Sequence, residues 1–438
     1  MKALILNGSH ENDSTGERVK TLLTSEMQIN GWDVEHILLR EQKIGNCAGD
    51  FFCWVRNPGV CNVDDDNRTI AEAIVQSDLV VYLTPVTFGG YSSALKRMVD
   101  HQIQNVSPFF SQVNGETHHQ KRYKKYPDFL AIGWLERPDA YAETVFRHLA
   151  GRNAVNFFAK TAVTGVVLAS QNDSEIKLSM QGWLNDLHNG KSSPQEKLPL
   201  NGGAASGSPI RRALLLVGSP RTKKSTSHSL GDYLFQQFGT QNVQTETIYV
   251  HTSLRSPERM QTLYDAVNTA DLLVLAFPLY VDSLPAPLIE ALERIAAQRA
   301  GQNQSHPQRL AVIINCGFPE AQHNATALAI CASFAQQAGF GWAGALALGA
   351  GEGIVRGLPL NELDGRAIPL KKALHLAASA LLVGDAIPQA AVDLMAKPII
   401  PAWLYRLMGI FGWRQEAKRW GAENQLKRQP YLTKVPRT

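Results

Sequence analysis

The feature that most constrains the fold of this chain is a pattern of strand, polar loop and helix that occurs twice. Residues 78–83 (DLVVYL) and 271–276 (DLLVLA) are closely similar apolar runs, and each follows an earlier strand-like segment, at 3–6 and at 213–217. Continuous apolar runs of this length are typical of parallel strands that helices cover on both faces. The alternation therefore predicts the α/β fold class, with a doubly wound parallel sheet and helices on both of its faces in each half.

The other segments repeat the same order. The first half is expected to add helix-like stretches at 15–30, 92–103 and 139–149, and strands or buried stretches at 33–38, 129–134 and 156–168; the second half, a helix at 227–238 and strands at 243–249 and 310–315. Right-handed crossovers between parallel strands place the loops after the strand C-termini on one edge of the sheet. Ligands of such folds bind at that edge.

A segment of linker composition separates the halves. Residues 187–209 are rich in Gly, Ser, Pro and Asn. They are either an irregular loop within one large domain or a linker, and the restart of the pattern just afterwards favours a linker. We predict a tandem duplication with a first domain at 1–190, a linker at 191–209, a second domain at 210–390 and a basic, amphipathic tail at 391–438.

Composition excludes several classes of protein. A hydrophobic share of 44% over 438 residues excludes disorder as the main state, and a net charge of +4 does not call for nucleic acid. Five cysteines are too few for a disulfide scaffold. No apolar run approaches the roughly 18 residues that cross a bilayer, and the N-terminus has no secretory signal pattern. We expect a cytoplasmic protein with no integral membrane segment and no nucleic-acid partner.

The loops that follow the first strand of each half are candidate phosphate sites. Residues 7–16 (NGSHENDSTG) and 218–227 (GSPRTKKSTS) both lie between a strand and a helix. Free backbone N–H groups, the positive end of a helix dipole and several hydroxyls favour an anion there. Neither loop is a dinucleotide fingerprint or a Walker A sequence. A hydroxyl-rich loop of this length suits a monophosphate such as that of flavin mononucleotide (FMN).

The two loops differ in charge. The second carries Arg221, Lys223 and Lys224, which can neutralise a dianion, whereas the first carries Glu11 and Asp13 and must rely on amides and hydroxyls. The alternative for both is that Ser14 and Ser225 are ordinary N-caps without a ligand. The phosphate argument is stronger for the second loop.

The loops after the third strands are candidate sites for a flat ring. Residues 84–93 (TPVTFGGYSS) contain paired glycines that let the backbone approach a ring, and Phe88 and Tyr91 offer stacking faces. Residues 277–285 (FPLYVDSLP) keep the proline and an aromatic residue but lack the glycines. The first half therefore predicts the better ring site, although a tight turn would also account for the glycines.

These motifs together resemble a known family. NGS with its hydroxyl loop, followed by TPVTFGGYSSALKRMVD, is similar to the flavodoxin-like NAD(P)H-dependent FMN reductases. GSPRTKKSTS followed by FPLYVDSLPAP resembles another branch of the same flavoprotein superfamily. The resemblance covers nearly the whole chain in two copies. It implies two tandem flavodoxin-like, five-stranded parallel sheets, FMN at their carboxyl edges, NAD(P)H as co-substrate, and dimers: an internal pseudo-dimer and a homodimer.

The resemblance also implies site residues in each copy. In the first copy they are Ser9, Ser14 and Thr15 for the phosphate, Pro85, Val86, Thr87, Phe88, Gly89, Gly90 and Tyr91 for the ring, and Gly133 and Trp134 as a third contact loop. In the second copy they are Ser219, Arg221, Ser225, Thr226 and Ser227 for the phosphate, Pro278, Leu279, Tyr280 and Val281 for the ring, and Gly317 within residues 315–318.

The predicted function is hydride transfer from NAD(P)H through FMN to a small acceptor such as a quinone or a nitro or azo compound. Flavin reduction needs no protein nucleophile, so no catalytic residue is assigned. The alternatives are a flavodoxin-like electron carrier, which the positive net charge disfavours, and a scaffold in which one copy has lost flavin. If only one copy holds flavin, the ring loop favours the first.

Three further features have less specific readings. Cys47, Cys53 and Cys61 are similar to the cluster-binding cysteines of related flavoproteins, but Asp50 stands at the middle position of their pattern, where a thiolate is expected. We predict a structural loop and no metal; the alternatives are an iron–sulfur cluster and a zinc ion held by the three cysteines and Asp50, although the spacings fit no common zinc module. Residues 118–126 (HHQKRYKKY) are a solvated loop or a lid over the flavin.

The apolar stripe of the tail either packs on a protein surface, which is the favoured interpretation, or lies on an anionic membrane.

Overall fold

The structure is a computed structural model of the chain, and it describes residues 1–199, 206–302 and 306–432. The chain divides into two compact units. The first comprises Met1–Leu198 and Arg406–Thr438, and the second comprises Pro199–Tyr405. Each unit contains one five-stranded, fully parallel sheet.

The first unit has the strand order β2-β1-β3-β6-β7. Its strands are β1 (Lys2–Asn7), β2 (Asp33–Leu38), β3 (Leu79–Pro85), β6 (Asp128–Leu135) and β7 (Ala162–Leu168), with an inserted antiparallel hairpin, β4 (Val106–Val113) and β5 (Glu116–Lys121). The crossover order, in which the second strand lies outside the first, is that of the flavodoxin-like doubly wound fold.

The second unit repeats this topology with the strand order β12-β11-β10-β8-β9. Its strands are β8 (Arg212–Val217), β9 (Gln244–Tyr249), β10 (Leu272–Pro278), β11 (Arg309–Asn315) and β12 (Gly341–Leu348). The predicted fold class, two tandem flavodoxin-like sheets with helices on both faces, is confirmed.

Helices connect the strands in both units. They are α1 (Ser14–Ile29), α2 (Phe52–Val55), α3 (Asp66–Gln76), α4 (Ser93–His101), α5 (Ala140–Asn156), α6 (Asp173–His188), α7 (Thr226–Gly239), α8 (Val250–Ser253), α9 (Pro257–Thr269), α10 (Ala286–Arg299), α11 (Ala325–Gln337), α12 (Gly351–Ile354), α13 (Ile368–Leu382), α14 (Gln389–Ala396) and α15 (Ala402–Lys418). In the described part of the chain, none of the helices has the length and apolar character needed to span a membrane.

The central strands form the cores because both of their faces are covered. Residues 79–83 of β3 and 272–277 of β10 are all buried, as their continuous apolar sequences predict. In the first unit one face of the sheet packs against α1 and α6, and in the second unit one face packs against α7 and α13. Burial on both sides fixes the strands rigidly and leaves their C-terminal loops as the variable parts.

Those loops converge at the carboxyl edge of each sheet. In the first unit the Gly8 N–H donates to the Leu83 carbonyl at 2.7 Å, and the Ser92 hydroxyl donates to the Gly8 carbonyl at 2.6 Å. In the second unit the Gly218 N–H donates to the Ala276 carbonyl at 2.9 Å. The candidate phosphate and ring loops are therefore neighbours in both units.

The segment between the halves and the C-terminal tail pack on the units. The Ser193 N–H donates to the Ala162 carbonyl of β7 at 2.8 Å, so the first part of the predicted linker lies along an edge strand. Residues 200–205 of that linker lie outside the described residues. In the predicted tail, α14 buries Ala391 and Met395 in the core of the second unit, and Ala417 and Leu426 are buried in the first.

Candidate functional site

The phosphate loop of the first unit is held by its own side chains. The backbone N–H of the buried Ser9 donates to the Asn7 side-chain oxygen at 2.9 Å, and the Ser9 hydroxyl donates to the same oxygen. Ser14 is exposed and Thr15 is half-buried at the start of α1. The N-cap of this helix is Asp13, whose carboxylate accepts the Gly16 N–H at 2.8 Å. The N-cap reading therefore applies to Asp13 and not to Ser14.

Trp134 closes this loop from the end of β6. Its indole N–H donates to the Asp13 carboxylate at 3.1 Å. A Cβ added at Gly16 would lie 2.5 Å from the Ser9 hydroxyl and 2.7 Å from the Trp134 ring. Protein atoms thus fill the space beside Gly16 in the first turn of α1.

Arg40 is a cation at this loop that sequence reasoning missed. Its guanidinium donates to the Ser9 carbonyl at 3.3 Å and to the His10 carbonyl at 3.1 Å. These bonds fasten the loop to the turn that follows β2. No local signal marks Arg40, because the contact joins segments about thirty residues apart.

The phosphate loop of the second unit is built differently. Ser219, Ser225, Thr226 and Ser227 are all buried around the N-terminus of α7. The Ser225 hydroxyl accepts the His228 N–H at 3.1 Å as the N-cap, and the Ser227 hydroxyl donates to the Asn315 side-chain oxygen at 2.9 Å. Thr226 is the first residue of α7, as Ser14 is of α1, and Thr226 is buried whereas Ser14 is exposed.

Arg221 is oriented by a carboxylate that the sequence analysis did not identify. It forms two hydrogen bonds of 2.8 Å with Glu352, and the Thr226 hydroxyl lies 3.5 Å from the same carboxylate. Glu352 lies on α12, just after β12. The signal that would have found it is the glycine-rich run GAGEG directly after the last strand, which places an acidic residue at the carboxyl edge.

The two ring loops contain the same turn. Thr87 and Gly90 exchange backbone hydrogen bonds of 3.0 and 2.7 Å, and Tyr280 and Ser283 exchange bonds of 2.9 and 3.1 Å. Both central residues have positive φ in each turn: Phe88 and Gly89 in the first unit, and Val281 and Asp282 in the second. The second loop therefore forms this turn without glycines, and the better ring site of the first loop stays a prediction. A β-branched residue such as Val281 is rare at positive φ and carries strain.

The predicted stacking faces of the first ring loop are not available. Phe88 and Tyr91 are buried, and the Tyr91 ring meets Tyr82 and Phe146 edge to face at 5.6 and 5.9 Å. Their bulk goes into the core because apolar rings gain more from burial than from solvent contact. The half-buried positions that border the edge are Pro85, Val86 and Thr87 in the first unit and Pro278, Leu279, Tyr280 and Val281 in the second.

Gly89 and Gly90 are both buried, so the close backbone approach expected of them serves packing inside the unit. A Cβ added at Gly89 would lie 2.8 Å from the Cβ of Val145 on α5. Gly133, in the third loop, is enclosed in the same way, with Val86 and Phe146 within 3.0 Å of the Cβ position. These glycines let elements of the first unit approach one another.

The third loop of the second unit is open by comparison. Gly317 is exposed, and no atom of the described residues lies within 4 Å of its Cβ position. Its carbonyl accepts the Tyr405 hydroxyl at 2.5 Å, and the Tyr405 ring lies 3.1 Å from the Cβ position of Gly353. Tyr405 thus borders the loops that follow β11 and β12.

The three cysteines of the first unit surround one small cavity. Cys47, Cys53 and Cys61 line it together with Asp50 and His101. Burial raises the pKa of Cys47 to about 12 and also raises the pKa values of Cys53 and Cys61, so the thiols stay protonated. Within the described residues no group of three or more His, Cys, Asp or Glu side chains is placed to hold a metal ion. In the second unit, burial likewise raises the pKa of Cys316 to about 12.

The basic segment 118–126 is neither of the expected structures. Residues 118–121 belong to β5, His118 is buried, and Arg122 is buried with its guanidinium on backbone carbonyls. Lys125 forms an ion pair with Asp78 at 2.5 Å. The segment is therefore a strand and its anchor, and Arg122 is not a surface cation that reaches a cofactor.

The profile of the family described as NADPH-dependent FMN reductase matches residues 1–116 and 211–339, which together make up more than half of the chain. The chain belongs to this family. Both matched segments include a phosphate loop and a ring loop. The description of the family names FMN and NADPH.

Individual relatives share only part of the chain. An iron–sulfur flavoprotein of Archaeoglobus fulgidus is 29% identical over 100 residues, 23% of this chain and 48% of that protein, and one of Methanocaldococcus jannaschii is 26% identical over 100 residues, 23% of this chain and 51% of that protein. The chain spans about half the length of the curated relatives it matches. Among solved structures, an NAD(P)H:quinone oxidoreductase from Methanothermobacter marburgensis is 16% identical, with 39% of this chain and 98% of that chain covered and a TM-score of 0.29.

Proposed function

We propose that the chain transfers hydride from NAD(P)H through FMN to a small acceptor such as a quinone or a nitro or azo compound, and that the second unit holds the FMN. The observation that carries this proposal is the cradle of Ser219, Ser225, Thr226 and Arg221 at the N-terminus of α7. A phosphate there meets hydroxyls, a helix N-terminus and a guanidinium. Lys223 and Lys224 are exposed beside it and add positive charge.

The comparison of the two ring loops supports the choice of unit. The glycines of the first loop favoured the first copy, but both units form the same turn. The phosphate loops support the second unit, since Asp13 and Trp134 bond to each other beside the first one while the second keeps its hydroxyls and its cation. Ser9, Ser14 and Thr15 are accordingly not assigned to flavin in this proposal.

In the second unit each loop has a separate role. The α7 loop would fix the phosphate, the Tyr280–Ser283 turn would present backbone groups to the ring, and the exposed Gly317 leaves room beside the third loop. When bound, FMN accepts hydride and passes it on. No side chain of the chain needs to react, so the protein contributes binding, orientation and exclusion of water.

The iron–sulfur chemistry named for the relatives is not part of the proposal. Three protonated thiols, of which Cys53 is buried and Cys47 and Cys61 are half-buried, and Asp50 are a poor donor set for a cluster that takes four thiolates. The cavity they line is therefore assigned to the packing of the first unit.

The test is FMN binding and its reduction by NADPH and NADH in stopped flow, with Arg221→Ala compared with Glu11→Ala. Both residues stand two positions after the serine of their loops. We expect Arg221→Ala to weaken FMN binding about tenfold or more, because an Arg–phosphate contact is charge-assisted, and Glu11→Ala to leave it unchanged. Equal effects of the two substitutions, or bound FMN that NAD(P)H does not reduce, would contradict the proposal.

A further inference from the structure

The helix α15 packs on the first unit through only one of its faces. Trp413 meets the Phe51 ring at 5.4 Å, and Ala417 is buried in the cluster around Trp54. A Cβ added at Gly409 would lie 2.4 Å from the Phe110 ring, so this turn of the helix lies directly against β4. These contacts account for the inner face and fix which side of the helix points outward.

The outer face carries large apolar side chains in a line. Trp403, Leu407 and Phe411 are spaced four residues apart, which places them on one side of a helix. Their exposed fractions are 63%, 45% and 63%, and Met408 beside them is exposed by 43%. Contiguous exposed apolar side chains of this kind mark interaction sites, whereas single ones are ordinary.

Basic side chains continue the same line. Arg414 lies three residues after Phe411, and Lys418 lies four residues after Arg414; both are exposed. Neither forms an ion pair in the described part of the chain, whereas the neighbouring Arg419 is paired with Glu416 at 2.7 Å. Between residues 397 and 428 the sequence has seven Lys or Arg and two Glu, so this segment accounts for the whole positive excess of a chain of net charge +4.

We propose that this outer face of α15 docks on the surface of an anionic lipid bilayer. Trp403, Leu407 and Phe411 would enter the boundary between headgroups and acyl chains, and Arg414 and Lys418 would meet lipid phosphates. Charge complementarity selects this occupant over a second copy of the chain, because pairing two copies brings together two segments of the same positive charge. The proposal does not rest on the flavin site.

The test is co-sedimentation of the full chain with vesicles of phosphatidylcholine alone and of phosphatidylcholine mixed with phosphatidylglycerol. We expect binding to the anionic vesicles, weakened by salt. The double substitution Leu407→Ser/Phe411→Ser and the double substitution Arg414→Gln/Lys418→Gln should each reduce the partition coefficient by roughly tenfold, because both burial and charge contribute. All four side chains are exposed, so the variants should keep the unfolding temperature of the wild type.

The matched control is Leu178→Ser, which removes another exposed apolar side chain (72% exposed) from a different helix, α6. It should leave vesicle binding unchanged. The proposal is overturned if the wild type does not bind the anionic vesicles, or if the variants of α15 bind as the wild type does. It is also overturned if sedimentation equilibrium shows a dimer that Leu407→Ser/Phe411→Ser abolishes, since a second copy then covers this face.

Discussion

Gly89 and Gly115 illustrate two different reasons why a position in a protein requires glycine. Both have positive φ, +85° and +87°, but a Cβ at Gly89 would lie 2.8 Å from Val145, whereas none of the described atoms lies within 4 Å of one at Gly115. The backbone conformation alone costs an L-residue roughly 1 kcal/mol. The close approach to α5 adds a steric cost only at Gly89.

We therefore expect Gly115→Ala to lower the free energy of unfolding by about 1 kcal/mol and Gly89→Ala by about 2–4 kcal/mol, because overpacking adds to the backbone strain. Urea denaturation of the two variants measures both values. Equal losses would mean that the ring turn of the first unit moves away from α5 without cost.

Glu352 is a second single residue with a large expected effect, because its carboxylate lowers the positive charge of the proposed phosphate cradle. In Glu352→Gln the side chain keeps its shape but no longer competes for the Arg221 guanidinium or repels a phosphate. We expect FMN to bind about three- to tenfold more tightly, since exposed ion pairs contribute up to about 1 kcal/mol. Titration of the apoprotein measures this. The control is Glu362→Gln, which changes an exposed carboxylate ten residues later in the short 3-10 helix Leu360–Glu362. It should have no effect on FMN binding.

At the scale of elements, the end of the chain is fastened to the first unit by one buried guanidinium. Arg122 follows β5 and donates to the carbonyls of Val106, Leu426 and Arg428 at 2.8–3.2 Å. Burial lowers its pKa, and the hydrogen bonds that its guanidinium donates within the described residues go to backbone carbonyls. A cation held only by carbonyls makes this anchor sensitive to loss of its donors.

The substitution Arg122→Met should lower the free energy of unfolding by about 3 kcal/mol, because it leaves buried carbonyls without donors. It should also speed the labelling of Cys53, which packs in the same cluster as Leu426. The control is Arg428→Ala, which keeps the backbone carbonyl that accepts the bond and removes only an exposed side chain. Thermal unfolding and thiol labelling that do not distinguish the two variants would exclude this role for Arg122.

The elements that the sequence predicts are those with local signals. The strands 78–83 and 271–276 were recognisable because continuous apolar runs report burial on both faces. The hairpin β4–β5 is not predicted because β5 (ETHHQK) is polar and β4 (VSPFFSQV) contains a proline, which argues against a strand. Its position depends on Arg122 and the distant C-terminal residues. In the site, the pattern of a strand followed by a hydroxyl-rich loop indicates both candidate phosphate loops. The partners of Asp13 and Arg221 lie more than 120 residues away, so no local pattern indicates them.

At the scale of the whole molecule, duplication has preserved the scaffold while the sites have diverged. Both units keep the strand order and the ring turn, yet the first residue of the helix after the phosphate loop is the exposed Ser14 in one and the buried Thr226 in the other. In the first unit Trp134 and Asp13 pack beside Gly16 in the first turn of that helix. A duplicated fold keeps its core because packing constrains it, whereas loops at the strand ends vary freely.

This difference predicts one FMN per chain and different results for a substitution in each of the two phosphate loops. Thr226→Gly removes a hydroxyl from the proposed cradle and should weaken FMN binding about fivefold, since a hydrogen bond to a charged group contributes roughly 1–2 kcal/mol. Gly16→Thr should not create a second site, because the new side chain would overlap Ser9 and Trp134; it should instead lower the unfolding temperature. Flavin content after denaturation, measured for each full-length variant, decides between the units, and a value of two for the wild type would contradict the closed first loop.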